Sequence, residues 1–153
     1  MRLTFDTNVL VHAADRTSEH HDAAASLVAR AAVADCVQTL QSFSECFHVL
    51  RRKLRVEVAE ARRMLRSFRD VLPVAAASPA DLDVALDMVE RHRLAFWDAL
   101  LGATARRAGC RLILTEDGQD GQSLDGLLYV NPFNADNAKL LDLALPSTNG
   151  ADP

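Results

Sequence analysis

Three cysteines in 153 residues, Cys36, Cys46 and Cys110, are too few and too scattered to staple a fold. Their odd number and wide spacing suit a reducing compartment, and a cytoplasmic protein is expected. No Cys-x-x-Cys pair occurs, and His20 and His21 are adjacent rather than one helical turn apart, which argues against a structural zinc site. The five histidines then fit surface or packing positions. No apolar run approaches the ~18 residues of a membrane helix. The first residues, with Arg2 and Asp6, run straight into a strand-like segment rather than a secretory leader. Gly-x-Gly-x-x-Gly and Gly-Lys-Ser/Thr loops are lacking, which removes the common phosphate cradles of nucleotide cofactors. Internal repeats, low-complexity tracts and linkers are also missing. One domain over residues 1–145 is expected, with 146–153 as a patternless, disordered tail.

What is present is ordinary in bulk: 49% of residues are hydrophobic and 25% charged. A formal net charge of −4 argues, taken alone, against a nucleic-acid binder. Its distribution argues the other way. Between Arg51 and Arg69 stand eight basic residues, Arg51, Arg52, Lys53, Arg55, Arg62, Arg63, Arg66 and Arg69, against Glu57 and Glu60. That stretch is net +6 and the remainder net −10. It is either a solvated helix face or a surface that tracks a phosphate backbone.

Along the chain, strand and helix patterns alternate. Leu3 to Phe5 read as a strand and Asn8 to Ala14 as a helix, so Asp6 sits at the handover. Glu19 to Ala34 are helical and Ala-rich, and Cys36-Val37 make a short strand. Thr39 to Lys53 form a helix whose expected core stripe is Leu40, Phe43, Phe47, Leu50 and Leu54. Glu45 lies nearly opposite that stripe, beside Gln41, His48 and Arg52, facing water or a polar cleft, and periodicity alone favours water. A helix from Val56 to Val71 and an edge strand from Val71 to Ala76 follow. Ser78 caps the next helix, with Pro79 at its first position and Asp81 in its first turn. Asp81, Asp83 and Asp87 are explained by that helix start. Leu94 to Leu100 open a helix ending at Gly109, with Phe96 and Trp97 expected in the core and Asp98 in the first turn. Arg111 to Thr115 are a buried strand, followed by the acidic turn Glu116 to Gln122. Leu127 to Val130 make a last strand and Asp136 to Leu145 a last helix. The alternation predicts an α/β domain, a mostly parallel central sheet surrounded by helices.

Three strand-to-helix edges thus carry an acid: Asp6, Asp98, and Asp117 with Asp120 nearby. Each alone is satisfied by a cap or an Asx-turn. Together they fall where open α/β sheets bind ligands, outside the carboxyl ends of the strands. Clustered carboxylates repel unless a cation compensates, and a hard divalent ion such as Mg²⁺ or Mn²⁺ takes oxygen ligands. Such an ion beside an Arg-rich face is a sensible way to hold a phosphodiester.

Asp6-Thr7-Asn8-Val9-Leu10, Gln41 to Phe47 running on to Arg52-Lys53, Trp97-Asp98-Ala99-Leu100, Leu114-Thr115-Glu116-Asp117 and Asn131-Pro132-Phe133 stand in one order along residues 1–145. In that order and spacing the sequence resembles PIN-domain ribonucleases of the VapC toxin type. The resemblance implies an α/β/α sandwich and a metal-dependent endoribonuclease using Mg²⁺ or Mn²⁺. It implies Asp6 and Asp98 as principal metal ligands, Glu45 as a third, and Asp117 as a fourth, direct or through water. Thr7, Asn8 and Thr115 would orient those acids, with Asp120 as a further supporting residue of the same turn. The charge clustering adds Arg51, Arg52, Lys53, Arg55, Arg62 and Arg63 as RNA-contacting candidates. By analogy the partners are an RNA substrate, a small antitoxin protein and a second copy of the chain; no membrane contact is expected. Two other classes stay open on the residues alone. One is a PIN fold acting only through protein contacts. The other is a phosphatase with Asp6 as nucleophile, disfavoured because Asn8 stands where an Asp-x-Asp motif needs its second acid.

Overall fold

A computed structural model describes residues 1–118 and 120–146. The first strand, β1 (Leu3–Phe5), is followed by α1 (Thr7–Ala14) and α2 (His21–Ala31). Next come β2 (Gln38–Thr39), α3 (Leu40–Arg52), α4 (Val58–Val71) and β3 (Val74–Ala75). Two helices, α5 (Pro79–His92) and α6 (Phe96–Arg107), lead to β4 (Leu112–Leu114), β5 (Ser123–Leu124) and β6 (Leu127–Val130). A 3₁₀ turn (Ala135–Asn137) and α7 (Ala138–Ala144) close the described chain, and the expected disorder of the tail lies, apart from Pro146, outside the described residues.

The central sheet runs β1-β4-β6-β5, with β1, β4 and β6 parallel and β5 antiparallel at the edge. Beyond β1, a parallel bridge from Leu3 to Cys36 leads into the two-stranded pair β2-β3. Every residue of β1 and β4 is buried, as expected of parallel strands covered on both faces. Among the described residues no helix is long and apolar enough to cross a membrane.

Where β1 runs out of ladder partners, a side chain takes over. Buried Gln38 donates from Nε2 to the Phe5 carbonyl at 2.6 Å and accepts the Phe5 N–H at 3.1 Å. On the other side, the Asp6 N–H donates to the Leu114 carbonyl at 2.9 Å. The backbone on both sides of Phe5 is therefore fixed, and a satisfied buried amide costs nothing in unmade hydrogen bonds. This is why Asp6 leaves the sheet in a defined direction.

Several packing expectations are corrected. On α3 the buried stripe is Phe43, Cys46 and Leu50, while Leu40, Phe47 and Leu54 are exposed. Leu40 lies in the first turn of α3 and Leu54 beyond its last, each bordering an open groove rather than the core. Trp97 is exposed too. The inner side of α6 is Ala99, Leu101, Gly102, Ala103, Thr104 and Ala105, mostly small residues that bring it close to its neighbours and leave an indole no room. The short strand expected at Cys36-Val37 is realised two residues later, at Gln38–Thr39. Asp81 does more than cap. It completes a capping box with Ser78 and, almost fully buried, accepts Arg107 Nε at 2.9 Å through each carboxylate oxygen.

Candidate active site

Asp6 ends β1 and caps α1. Its Oδ1 accepts the Thr7 N–H at 2.6 Å, an N-cap bond that satisfies one free donor of the helix start. Its Oδ2 accepts the Thr115 hydroxyl at 2.8 Å and, more weakly, Asn8 Nδ2 at 3.4 Å. Thr115 follows β4, and its own N–H is held by the Val130 carbonyl at 3.0 Å. The register of three parallel strands thus sets the Asp6 carboxylate. Burial pushes its pKa up from 3.8 to about 6; the Thr115 and Thr7 hydrogen bonds oppose that, and the charges of Asp98 and Asp117 add to it.

Asp98 lies in the first turn of α6 and is open to solvent on one side. Its pKa is also raised, by burial of its inner side and then by Asp117 and Glu45. Glu45, on the polar face of α3, accepts Gln41 Nε2 at 2.8 Å and the Thr7 hydroxyl at 3.2 Å. The same Gln41 nitrogen donates to the Trp97 carbonyl at 2.9 Å, which ties α3 to the residue preceding Asp98. Of the two faces open to Glu45, the cleft is the one it occupies.

The acidic turn after β4 sorts its three carboxylates. Asp117 accepts Asn8 Nδ2 at 3.1 Å, and its own N–H donates to Thr115 Oγ1 at 3.1 Å. Glu116 turns away to His12 Nε2 at 2.8 Å, with Ser18 Oγ on the other ring nitrogen at 2.6 Å. His12 in turn meets Phe133 edge-on, and His20 stacks flat on that ring, so these two histidines are packing residues. Asp120, expected to support the acid cluster, does not join it. It accepts the Asn131 N–H at 2.9 Å, Asn134 Nδ2 at 2.7 Å and Asn137 Nδ2 at 2.9 Å, and so holds the segment after β6. Those amides pull Asp120 outward because they supply the donors its charge needs.

Asn8 is the hub. One amide nitrogen reaches Asp6, Thr115 (3.1 Å) and Asp117, a neutral donor set between two acids. Asp6, Asp98, Thr115 and Asp117 rim a narrow hollow of roughly 60 Å³ floored by Leu101, Ile113 and Tyr129. Tyr129 was not foreseen as part of the site. Its hydroxyl is buried and has no hydrogen-bond partner among the described residues. Burial, then Asp98, Asp125 and Asp6, push its pKa to about 12, so it remains a proton donor.

The basic stretch divides. Arg51 is spent on the Val56 carbonyl, closing the turn after α3, and Arg63 pairs with Glu60. Arg52 and Arg55 are exposed, and Lys53 borders the groove that holds Glu45 and Asp6. Arg62, Arg66 and Arg69 line a second groove with Phe43, Ser44 and Phe47.

Among the described residues no three acidic, histidine or cysteine side chains stand close enough together to hold a metal ion directly. The donor chemistry nevertheless fits a hard cation. All the donors are oxygens, and the pKa values of Asp6 and Asp98 are raised by burial and then by the neighbouring carboxylates, as uncompensated acids are. An ion that keeps several waters needs only one or two carboxylates in direct contact.

VapC20 of Mycobacterium tuberculosis, a sarcin–ricin loop cleaving toxin, has a similar structure: TM-score 0.64 at 21% identity, covering 76% of this chain and 90% of that one. A toxin–antitoxin complex from Klebsiella pneumoniae matches with a TM-score of 0.65 at 17% identity, over 86% of this chain and 98% of that one. VapBC2 from Rickettsia felis, bound to a DNA fragment from its promoter, matches with a TM-score of 0.63 at 14% identity, over 86% and 98%. At these identities the likeness is one of fold. No curated protein matches the sequence. The PIN-domain family model matches residues 3–119, and the chain belongs to the PIN-domain family.

Proposed function

We propose that this chain is an endoribonuclease dependent on Mg²⁺ or Mn²⁺, and the toxin of a toxin–antitoxin pair. One observation carries the reading: residues far apart in sequence, Asp6, Asp98 and Asp117, line one hollow at the sheet edge, where burial and then the neighbouring carboxylates raise the pKa values of Asp6 and Asp98. Structural caps have no reason to converge in this way. Asp6 and Asp98 would hold the ion, with Glu45 and Asp117 as further oxygen donors, directly or through water. When bound, such an ion supplies an acidified water and charge neutralisation at phosphoryl oxygens.

The chain's own residues do the rest. Thr7, Asn8 and Thr115 fix the rotamers of Asp6, Glu45 and Asp117 through the hydrogen bonds described above. Leu101, Ile113 and Tyr129 exclude bulk solvent from beneath the acids, which strengthens every electrostatic contact there. Lys53 and, on the second groove, Arg62 and Arg66 supply the positive charge that an RNA backbone seeks. The toxin role draws on the Mycobacterium, Klebsiella and Rickettsia proteins, and an antitoxin partner comes with it; a homodimer and a cytoplasmic location are part of the same proposal, from the sequence alone.

Purified chain should cleave RNA with Mg²⁺ or Mn²⁺, lose cleavage in EDTA, and lose it as Asp6→Asn or Asp98→Asn. Undiminished cleavage by either variant removes the mechanism. Absence of Mn²⁺ binding by calorimetry would turn the reading to a PIN fold that acts only through protein contacts.

A further inference from the structure

The nuclease reading leaves one prominent feature at the margin of the cleft unused. Trp97, the chain's single tryptophan, is 60% exposed although it immediately precedes Asp98. Its backbone is not loose. Gln41 Nε2, on α3, donates to the Trp97 carbonyl at 2.9 Å and to Glu45 at 2.8 Å, so one side chain ties the Trp97 backbone on α6 to an acid of the cleft. Phe96 meets the indole with ring centroids 5.2 Å apart and planes 68° apart, which braces its near edge. Leu40, Ala77 and Leu100 continue the indole as an apolar wall. Gln41, Ser44 and His48 give that wall a hydrogen-bonding rim, which Glu45 completes on the side of the acids.

A flat apolar wall beside a polar rim has the chemistry of a nucleobase seat: a π face to stack on and donors and acceptors for the base edge. Charge indicates the same occupant. Ser44 is shared with the adjoining groove, whose rim carries Arg62, Arg66 and Arg69. A polyanion satisfies those guanidinium groups. A second copy docked by the same patch on both partners would bring them against themselves. Resting on the nuclease reading, we propose that Trp97 is a base-stacking platform: it seats one unpaired nucleotide of the RNA and thereby sets the strand's register over the acids. A base locked in a duplex cannot present its face to a side-chain wall.

The indole is its own reporter, because no other tryptophan contributes to the fluorescence. The probe is a short single-stranded RNA of mixed sequence, alone or annealed to its complement, with binding followed in the cleavage-dead Asp6→Asn background. The single strand should quench Trp97 and the duplex should not. Trp97→Ala should raise KM for the single strand about tenfold with kcat nearly held, and Trp97→Phe should restore most of the loss. Three outcomes overturn the proposal: RNA binding seen by anisotropy without quenching, wild-type kcat/KM in Trp97→Ala, or a change of oligomeric mass in Trp97→Ala with KM unmoved. A wild type that cleaves neither form overturns the nuclease reading instead, while the quenching still decides the stacking.

Discussion

At the scale of single residues, Asp6 is in tension with its surroundings. Burial holds its pKa near 6 against an ordinary 3.8, so in the metal-free protein its ionised form is the unfavourable one. The sign follows from linkage: between those two values the folded state binds more protons than the unfolded state, and stability falls as pH rises. Asp6→Asn, neutral at every pH, should therefore be the more stable protein in EDTA. Its advantage should be small near the lower value and grow to roughly 3 kcal/mol above about pH 7. Urea titrations of both proteins at several pH values check this; an advantage that does not grow with pH would mean that Asp6 is not desolvated. Asp6, Asp98 and Asp117 stood out in the sequence because each sits in a local pattern, at a strand end or in a first helical turn, whereas Glu45 lies in the second turn of α3 and only the family resemblance pointed it to the cleft. Asp120 was misread, since the amides that claim it come from Asn131, Asn134 and Asn137, and nothing local announces that contact. Tyr129 was missed for the same reason. Its place under Asp98 depends on which strand lies beneath which helix.

At the scale of elements, α6 shows how a helix buys closeness with small side chains. A Cβ built on Gly102 would lie 2.8 Å from the Tyr129 hydroxyl and 3.2 Å from Met88 Cε. Gly102 is one turn beyond Asp98, so the same contact sets how far α6 stands from β6 and how deep the hollow is. Two effects compete in Gly102→Ala. Helix propensity favours alanine by about 1 kcal/mol, while overpacking costs roughly 1–3 kcal/mol. The neighbour is buried strand-borne phenol rather than a flexible tip, so overpacking should win and the variant should lose up to about 2 kcal/mol. In a Tyr129→Phe background the obstructing oxygen is gone, and Gly102→Ala should become neutral or stabilising. A double-mutant cycle by thermal melts reads that reversal; equal losses in both backgrounds would place the strain elsewhere. Element positions were largely readable from periodicity, including the Ser78 cap and the buried run at β4. Their faces were not always readable. Trp97, Leu40 and Phe47 have core chemistry, but whether a helix side is covered depends on neighbours that periodicity cannot see. The two-residue strands β2 and β5 are too short to leave a pattern.

At the scale of the whole molecule, the acids are brought together only by the parallel crossovers of the sheet. The unfolded chain scatters them over more than a hundred residues and has no comparable site. The alternation of strands and helices made that topology predictable, while the hydrogen bond from Gln38 that fixes the exit from β1 was not. Any ion that needs the assembled cluster must then stabilise the fold by mass action. At about a hundred times its dissociation constant, Mn²⁺ should add about 2.7 kcal/mol, a rise in Tm of roughly 5–10 °C for a domain of this length. This stabilisation is comparable to the cost of the ionised Asp6, so wild type and Asp6→Asn should exchange order: the variant melts higher in EDTA, and wild type draws level or passes it as Mn²⁺ is added. Asp120→Asn, which alters an acid committed to the Asn131–Asn137 segment, should keep the full Mn²⁺ shift whatever its own starting Tm. Scanning calorimetry of the three proteins across a Mn²⁺ series distinguishes the cases. An equal shift in wild type and Asp6→Asn would mean that the ion binds away from the sheet edge and that the convergence of acids there serves packing alone.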